Sequence, residues 1–379
     1  MKHTSAFYLF YVACLVAFVS CTSSSYLIPK NTELCFPLSS KLKEILYYAS
    51  LAPSGHNTQS WKVGVRADEK TIRVYLDSSR LLHVVDALGR ESLISVGTFI
   101  KNLSVALEAF GYSYSIQLEE AIDIHQHPLV ATIHIEGNTG LPLNAALLAE
   151  MEKRHTEKRK FLPKPLDAAA VLAVLNATEN QTLFFPKGSK EFEFIKIQSI
   201  IANELQSASP AAREELAQWL RFSNAQAKAK ADGLPAEQLG LRGIVKAAYY
   251  ATMSREKAAK EAFGKTSLNE AQKQLNSSMG FFIVGGGTSN KSHVETGFLL
   301  ETLWLAAVRH GISIQPISQA LEEKETLERI NAQFPEIQVQ MILRCGYVKK
   351  YGENARIRRP LQEFVFLEPI PLTNLNNFE

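Results

Sequence analysis

Residues 97–113, GTFIKNLSVALEAFGYS, and residues 297–313, GFLLETLWLAAVRHGIS, align without a gap at a constant offset of 200. Gly97/Gly297, Leu103/Leu303, Ala106/Ala306, Gly111/Gly311 and Ser113/Ser313 coincide. In the first copy Val96, Phe99, Ile100, Leu103, Leu107 and Phe110 recur at helical spacing, and Gly111 stands where a left-handed residue ends a helix. A strand-like run follows each copy, LVATIHIEG at 129–137 and EIQVQMILRCGY at 336–347. The shared helix, stop and strand read as a duplicated unit, so the chain divides into two halves that echo each other.

Around the first copy, Leu42, Ile45, Leu46 and Ala49 mark a helix that delivers the chain to APSGHNTQSW, residues 52–61. Beyond it WKVGVRA and TIRVYLD flank the polar DEK as a hairpin. The second half carries an Ala-, Lys- and Glu-rich insertion at about 190–275, in which PAAREELAQWLRF and LRGIVKAAYYATMSREKAAKEAF read as helices around the turn ADGLP. Its apolar faces need a partner. A helical lid over a site is one use, and a plain structural extension is the other.

The 379 residues, 46% hydrophobic and 21% charged, suit one large or two smaller globular units. A net charge of +3 without a basic stripe interleaved with aromatics excludes nucleic acid as a partner. Lys2, the uncharged stretch from Ala6 to Ser20, and Cys21 followed by Thr22 and three serines have the layout of a secretory signal at 1–21. Phe18-Val19-Ser20-Cys21 resembles a bacterial lipoprotein cleavage box, with Phe18 in place of the usual leucine. The expectation is an exported lipoprotein, anchored to a membrane through a lipid on Cys21 and facing the periplasm. Cys35 and Cys345 can form a bridge only if the fold brings them together.

Several motifs fail. FFIVGGGTSN has Asn290 where a dinucleotide fingerprint needs its third glycine, and Gly264-Lys265-Thr266 lacks the first glycine of a phosphate loop. His125 and His127 have no third ligand at suitable spacing, and neither G-x-S-x-G nor HExxH is present. No catalytic side chain and no metal site is expected. What survives is APSGHNTQSW together with two basic stretches, RHTEKRKF at 154–161 and ARIRRP at 355–360, whose arginine forks and threonine hydroxyl suit a phosphate.

Together these motifs resemble the flavin-dependent nitroreductase family, and more narrowly its tandem, Acg-like branch. APSGHNTQSW is similar to the family's APSxxNxQPW, with Ser60 replacing proline; RHTEKRKF is similar to RRTxRRPF; and ILRCGY and RIRRPLQEF match its C-terminal signatures. The resemblance implies an α+β fold with FMN at the interface of two equivalent subunits, where arginines of one hold the phosphate and the Pro-Ser-x-x-Asn loop of the other touches the ring. Here the first half has the loop without the arginines and the second has the arginines without the loop. The expectation is tandem nitroreductase-like halves, 34–150 and 151–370, forming an intramolecular pseudo-dimer with one complete flavin site under a helical lid.

Carried over by the resemblance, Pro53, Ser54, Gly55 and Asn57 border the isoalloxazine or ribityl chain. Arg154, Thr156 and Lys158 take the phosphate with Arg356 and Arg358, Arg359 being a one-register alternative, and Ser318 and Gln319 lie near flavin N5. The implied activity is that of an FMN-dependent NAD(P)H oxidoreductase passing hydride through N5 to a small acceptor such as a nitroaromatic or quinone. The alternative is a flavin-sequestering protein whose lid covers FMN, with little or no turnover.

Overall fold

The structure, a computed structural model, describes residues 33–126, 128–179, 181–352 and 357–369. The expected export segment with Cys21, and also His127 and Arg356, lie outside the described residues.

Ser39 opens helix α1 (Ser40–Ser50) by accepting a hydrogen bond from the Leu42 amide, and Leu42, Ile45, Leu46 and Ala49 are buried. Strands β1 (Trp61–Val65) and β2 (Thr71–Leu76) pair antiparallel as the expected hairpin. Helix α2 (Arg90–Ala109) follows, then an antiparallel pair, β3 (Tyr112–Leu118) and β4 (Leu129–Asn138). Strand β3 was not foreseen because its Tyr-Ser alternation leaves it half exposed, with too little apolar signal to read as a strand.

After α3 (Ala145–Lys153), α4 (Ala168–Ala177) and β5 (Thr182–Pro186), the insertion builds α5 (Lys190–Ala208), α6 (Pro210–Trp219), α7 (Asn224–Lys230), α8 (Gly243–Thr252), α9 (Arg255–Ala258) and α10 (Glu261–Asn276). Residues 241–263 are thus not one helix. Met253 and Ser254 turn extended, and the Ser254 hydroxyl restarts the helix by accepting from the Lys257 amide. Gly264-Lys265-Thr266 is an ordinary part of α10. The second half then lays down β6 (Gly280–Gly285), α11 (Asn290–Arg309), β7 (Ser313–Pro316), α12 (Gln319–Glu322), α13 (Lys324–Gln333) and β8 (Val339–Gly346), and β9 (Val365–Leu367) ends the described chain.

The architecture is α+β. One sheet has the order β3-β4-β2-β1-β9 and the other β5-β6-β8-β7. The last strand crosses over: β9 leaves the second half and runs parallel beside β1, with Val63 opposite Val365. Cys35 is exposed and Cys345 buried in β8, and both are free.

Helices α2 and α11 occupy the same positions at the offset of 200 and pack on each other. Gly111 (φ 75°) and Gly311 (φ 64°) end them in the left-handed conformation. At the crossing the backbones meet through two glycines. A Cβ on Gly97 would lie 2.1 Å from the Val294 carbonyl oxygen, and one on Gly297 would lie 2.2 Å from the Ile94 carbonyl oxygen. Residues 94 and 294 are themselves related by the offset, so the contact is reciprocal.

Candidate functional site

Residues of both halves and of the insertion line a cavity of about 920 Å³. Ten residues singled out from the sequence line it: Pro53, Ser54, Gly55 and Asn57 from the first half; Arg154, Thr156, Lys158, Ser318, Gln319 and Arg358 from the second. They do not stand in equivalent positions.

The loop from the first half is a strained turn. His56, Asn57 and Gln59 have φ of 47°, 55° and 55°, a region that costs a residue with a side chain roughly 1–2 kcal/mol. Surrounding groups hold it there. The Ser54 hydroxyl accepts from the Gln59 amide (2.9 Å), the Gly55 amide donates to Ser95 Oγ (3.3 Å), and Thr98 donates to the Pro53 carbonyl (2.9 Å). Asn57 is buried and fully engaged: its Nδ2 donates to the carbonyls of Gly233 and Ile357, and its Oδ1 accepts from Arg358.

Arg358 donates to the carbonyls of Ser50, Leu51, Ala52 and Ile357 as well as to Asn57, which uses all five of its N–H groups. The expected phosphate role therefore does not fit this side chain. It clamps the end of α1 to the turn, capping carbonyls that a helix leaves unmatched. Arg359 does not line the cavity; it donates to the carbonyls of Gln59 and Trp61 from the other side of the same loop.

From the second half, Thr156 bridges Ile314 of β7, and the Glu157 amide donates to the Ile314 carbonyl (2.9 Å). Arg344 of β8 reaches across to the carbonyls of Glu157 (3.0 Å) and Arg159 (2.8 Å) and packs over the Phe161 ring. Gripping the chain on both sides of residue 158 leaves Lys158 directed into the cavity. Lys158 has no hydrogen-bond or ion-pair partner among the described residues. Its enclosure within the molecule pushes its ammonium down to about 8, and the Arg344 charge adds to the effect. His56, also on the cavity wall, is pushed down to about 4 by burial and then by Lys158, so it is neutral at pH 7.

Arg154 is buried. It donates to the Leu51 carbonyl (2.7 Å), faces the Glu301 carboxylate (3.3 Å) and lies over the Trp304 ring. Burial lifts Glu301 to about 7, against the pull of Arg154 and Arg358. Arg159 turns away onto Glu157 and does not line the cavity. Burial works to raise Glu157, but hydrogen bonds from Arg159 and His155 outweigh it and hold the carboxyl down to about 2.

Sequence reasoning missed His56, which stands in one of the variable positions of its motif, and a carboxyl pair, Glu91 of α2 and Glu322 of α12. Burial, then the Glu91 charge, raises Glu322 well above the carboxylate range, while Gln206 and Ser318 hydrogen-bond it. Nothing in linear sequence marks residues so far apart as neighbours. Residues of the insertion line the cavity, and the insertion is joined to the first half: the Gly233 amide donates to the Asn57 carbonyl (3.2 Å), Gln59 Nε2 donates to the Ala231 carbonyl (3.0 Å), and Asp232, paired within the insertion with Arg221, also pairs with Arg80.

The site thus combines the Lys158 ammonium, without a hydrogen-bond or ion-pair partner among the described residues, with the buried Arg154, hydroxyl and amide groups, and apolar side chains of the insertion. That donor set suits an anionic, amphipathic small molecule. A family model described as "Nitroreductase family" matches residues 151–347, which is 197 of the 379 residues. An uncharacterized protein of Mycobacterium tuberculosis is 25% identical over 284 residues, 73% of this chain and 38% of that protein. A second M. tuberculosis protein, which carries the provisional name NAD(P)H nitroreductase acg, is 33% identical over 76 residues, 20% of this chain and 22% of its own length. The matched regions therefore span well under half of these relatives. Among solved structures, the FMN-dependent nitroreductase NfnB from Mycobacterium smegmatis, in complex with NADPH, is 12% identical with a TM-score of 0.34, covering 62% of this chain and 98% of that one. A nitroreductase-like family protein from Bacillus cereus is 13% identical with a TM-score of 0.32, covering 58% and 94%.

Proposed function

The chain belongs to the nitroreductase family, whose model it matches over more than half its length, and from that premise we propose that it is an FMN-dependent oxidoreductase with one cofactor site built between its two halves. The observation that carries the reading is the meeting of the 52–61 loop and the 154–158 stretch on one cavity, with Lys158 unpaired there. In this reading the halves stand in for two subunits. The reciprocal approach of Gly97 and Gly297 supports it, because a two-fold interface repeats each contact with the partners exchanged.

The residues present fit FMN. Lys158, with the Thr156 hydroxyl and the Arg154 charge behind it, would hold the phosphate dianion, since a cation without a carboxylate partner gains most from one. Pro53, Ser54, Gly55 and neutral His56 would border the ring from one side, and the 318–319 backbone from the other. Bound FMN would supply hydride transfer from NAD(P)H to a small acceptor such as a nitroaromatic or quinone. The protein's own part is positional: Arg358 and Asn57 set the loop, Arg344 sets Lys158, the insertion excludes water, and Glu322, which burial biases toward its neutral form, stands on the cavity wall.

A second reading is favoured by one observation, the fastening of the insertion through Gly233, Ala231 and Asp232. If that lid stays shut, FMN is sequestered rather than turned over. The visible spectrum of the purified chain before and after anaerobic NADH or NADPH separates the two. Bleaching that reverses with an added quinone supports the reductase, persistence of the oxidised spectrum supports sequestration, and failure to bind FMN on reconstitution refutes both. We also propose export and a lipid on Cys21, on the strength of the Ala6–Ser20 stretch and the cleavage box. An unmodified Met1 peptide from membrane-fractionated cells would refute that part.

A further inference from the structure

The residues proposed to meet the flavin account for only part of the cavity wall. The rest comes from the insertion. Leu216, Leu220, Leu234, Leu239, Met253 and Phe263 all line it. The same six side chains belong to the insertion's own hydrophobic cluster, whose fully buried members are just Ala217, Leu220 and Ala258. Two alanines and one leucine cannot close a core in which a buried side chain ordinarily touches many others. Leu216, Leu234, Leu239, Met253 and Phe263 stay partly buried and border the cavity instead.

A second observation places the entrance. Val245 of α8 lines the cavity and is 60% exposed, and its neighbour Ile244 is 83% exposed. Ala247, Ala248 and Ala251 extend this exposed apolar face along the helix. Apolar side chains therefore continue from solvent, past α8, into the interior of the insertion.

We propose that the insertion is a binding chamber for the hydrocarbon chain of an amphiphilic ligand, which enters past Ile244 and Val245 and completes the insertion's unfinished core. The chamber is bordered by α6, by the 231–241 segment and by residues of α8 and α10. The apolar part of its lining is carried more by leucine and methionine, whose rotamers follow a flexible chain, than by the aromatic rings of Tyr249 and Phe263, and the polar residues beside it suit the head group of an amphiphile. The inference goes beyond the flavin reading and does not depend on it.

The test is calorimetric titration of the full chain with two homologous series, straight-chain fatty acids from butyric to palmitic and benzoquinones with alkyl tails of matching length. Flavin content is read from absorbance in the same samples. Affinity is expected to rise about fourfold for each added methylene until the chamber is full. A rise in both series makes the chain the recognised element; a rise with the quinones alone adds the head group to it. Leu239→Trp should bring the plateau to shorter chains. Val245→Asp, on the solvent side where folding is not at stake, should weaken long chains at least tenfold and leave short ones unchanged. Affinity independent of chain length, or a length dependence that neither substitution alters, overturns the chamber. Chain binding in a protein that cannot hold FMN would instead refute the flavin site and leave the chamber standing.

Discussion

Gly97→Ala tests the helix crossing on which the placement of the site depends. The new Cβ would sit 2.1 Å from the Val294 carbonyl oxygen, whereas ordinary contact begins at 3.4 Å, so α2 and α11 must separate by about 1.3 Å (3.4 − 2.1). The obstacle is backbone, which no rotamer change removes. A gap of ~0.5–1 Å already forfeits a quarter to a half of each dispersion contact across an interface. Overpacking of this kind costs about 3 kcal/mol, and replacing a helical glycine by alanine returns up to about 1 kcal/mol. The net loss is therefore about 2 kcal/mol, measured as a fall in the urea midpoint at constant slope. Gly297→Ala should behave alike, and the double variant should lose less than the sum, because helices already forced apart accept the second methyl more easily. Ile94, Ser95 and Thr98 line the cavity from one helix, and Leu300 and Trp304 from the other, so FMN retention should fall in parallel. A Gly97→Ala protein as stable as the parent, or strict additivity in the pair, would refute the close reciprocal crossing.

Lys158→Ala should weaken FMN at least tenfold without lowering the melting temperature of the flavin-free protein, since the side chain has no hydrogen-bond or ion-pair partner among the described residues to lose and burial already disfavours its charge. With its ammonium lowered to about 8, flavin affinity should fall as pH rises through 8 while Lys158→Arg shows no such fall; the same group should make the flavin-free fold more stable between pH 8 and 10.5, where only the unfolded chain keeps the proton. Arg358→Ala should show the opposite balance, a stability loss of about 3 kcal/mol from carbonyls stripped of their donor, and a flavin loss that Arg358→Lys does not repair. A binding defect at unchanged stability would return Arg358 to the phosphate. Asp232→Asn should loosen the insertion at Arg80 and Arg221, seen as faster flavin release and greater quenching by iodide, and equal rates would argue against a fastened lid.

The helices that recur at the offset of 200, the β1–β2 hairpin and strand β4 were legible because each carries a buried apolar face, and β8 as an apolar run buried along its whole length. Strand β3 was not, since half-exposed tyrosines and serines carry little pattern, and three residues of β9 are too few to show one. The candidate site was legible as motifs: APSGHNTQSW and RHTEKRKF do meet on one cavity. What linear reading could not supply is the direction each side chain takes. Asn57 and Arg358 face each other and the backbone, while Lys158, an unremarkable lysine in a basic run, lines the cavity without a hydrogen-bond or ion-pair partner among the described residues. His56, Glu91 and Glu322 owe their surroundings to residues hundreds of positions away, and no local pattern encodes that.

The crossing of β9 to the first sheet sets an order of events during synthesis. Val63 to Val65 leave the ribosome some 300 residues before Val365 to Leu367, so the edge of β1 stays unpaired while almost the whole chain is made. Arg358 and Arg359, which hold the 52–61 turn, arrive equally late. A nascent first half can gather its core but cannot shape the loop until Arg358, Arg359 and β9 have been made, and a chain cut before Arg358 would expose a sticky edge at β1 together with an unbraced 52–61 turn.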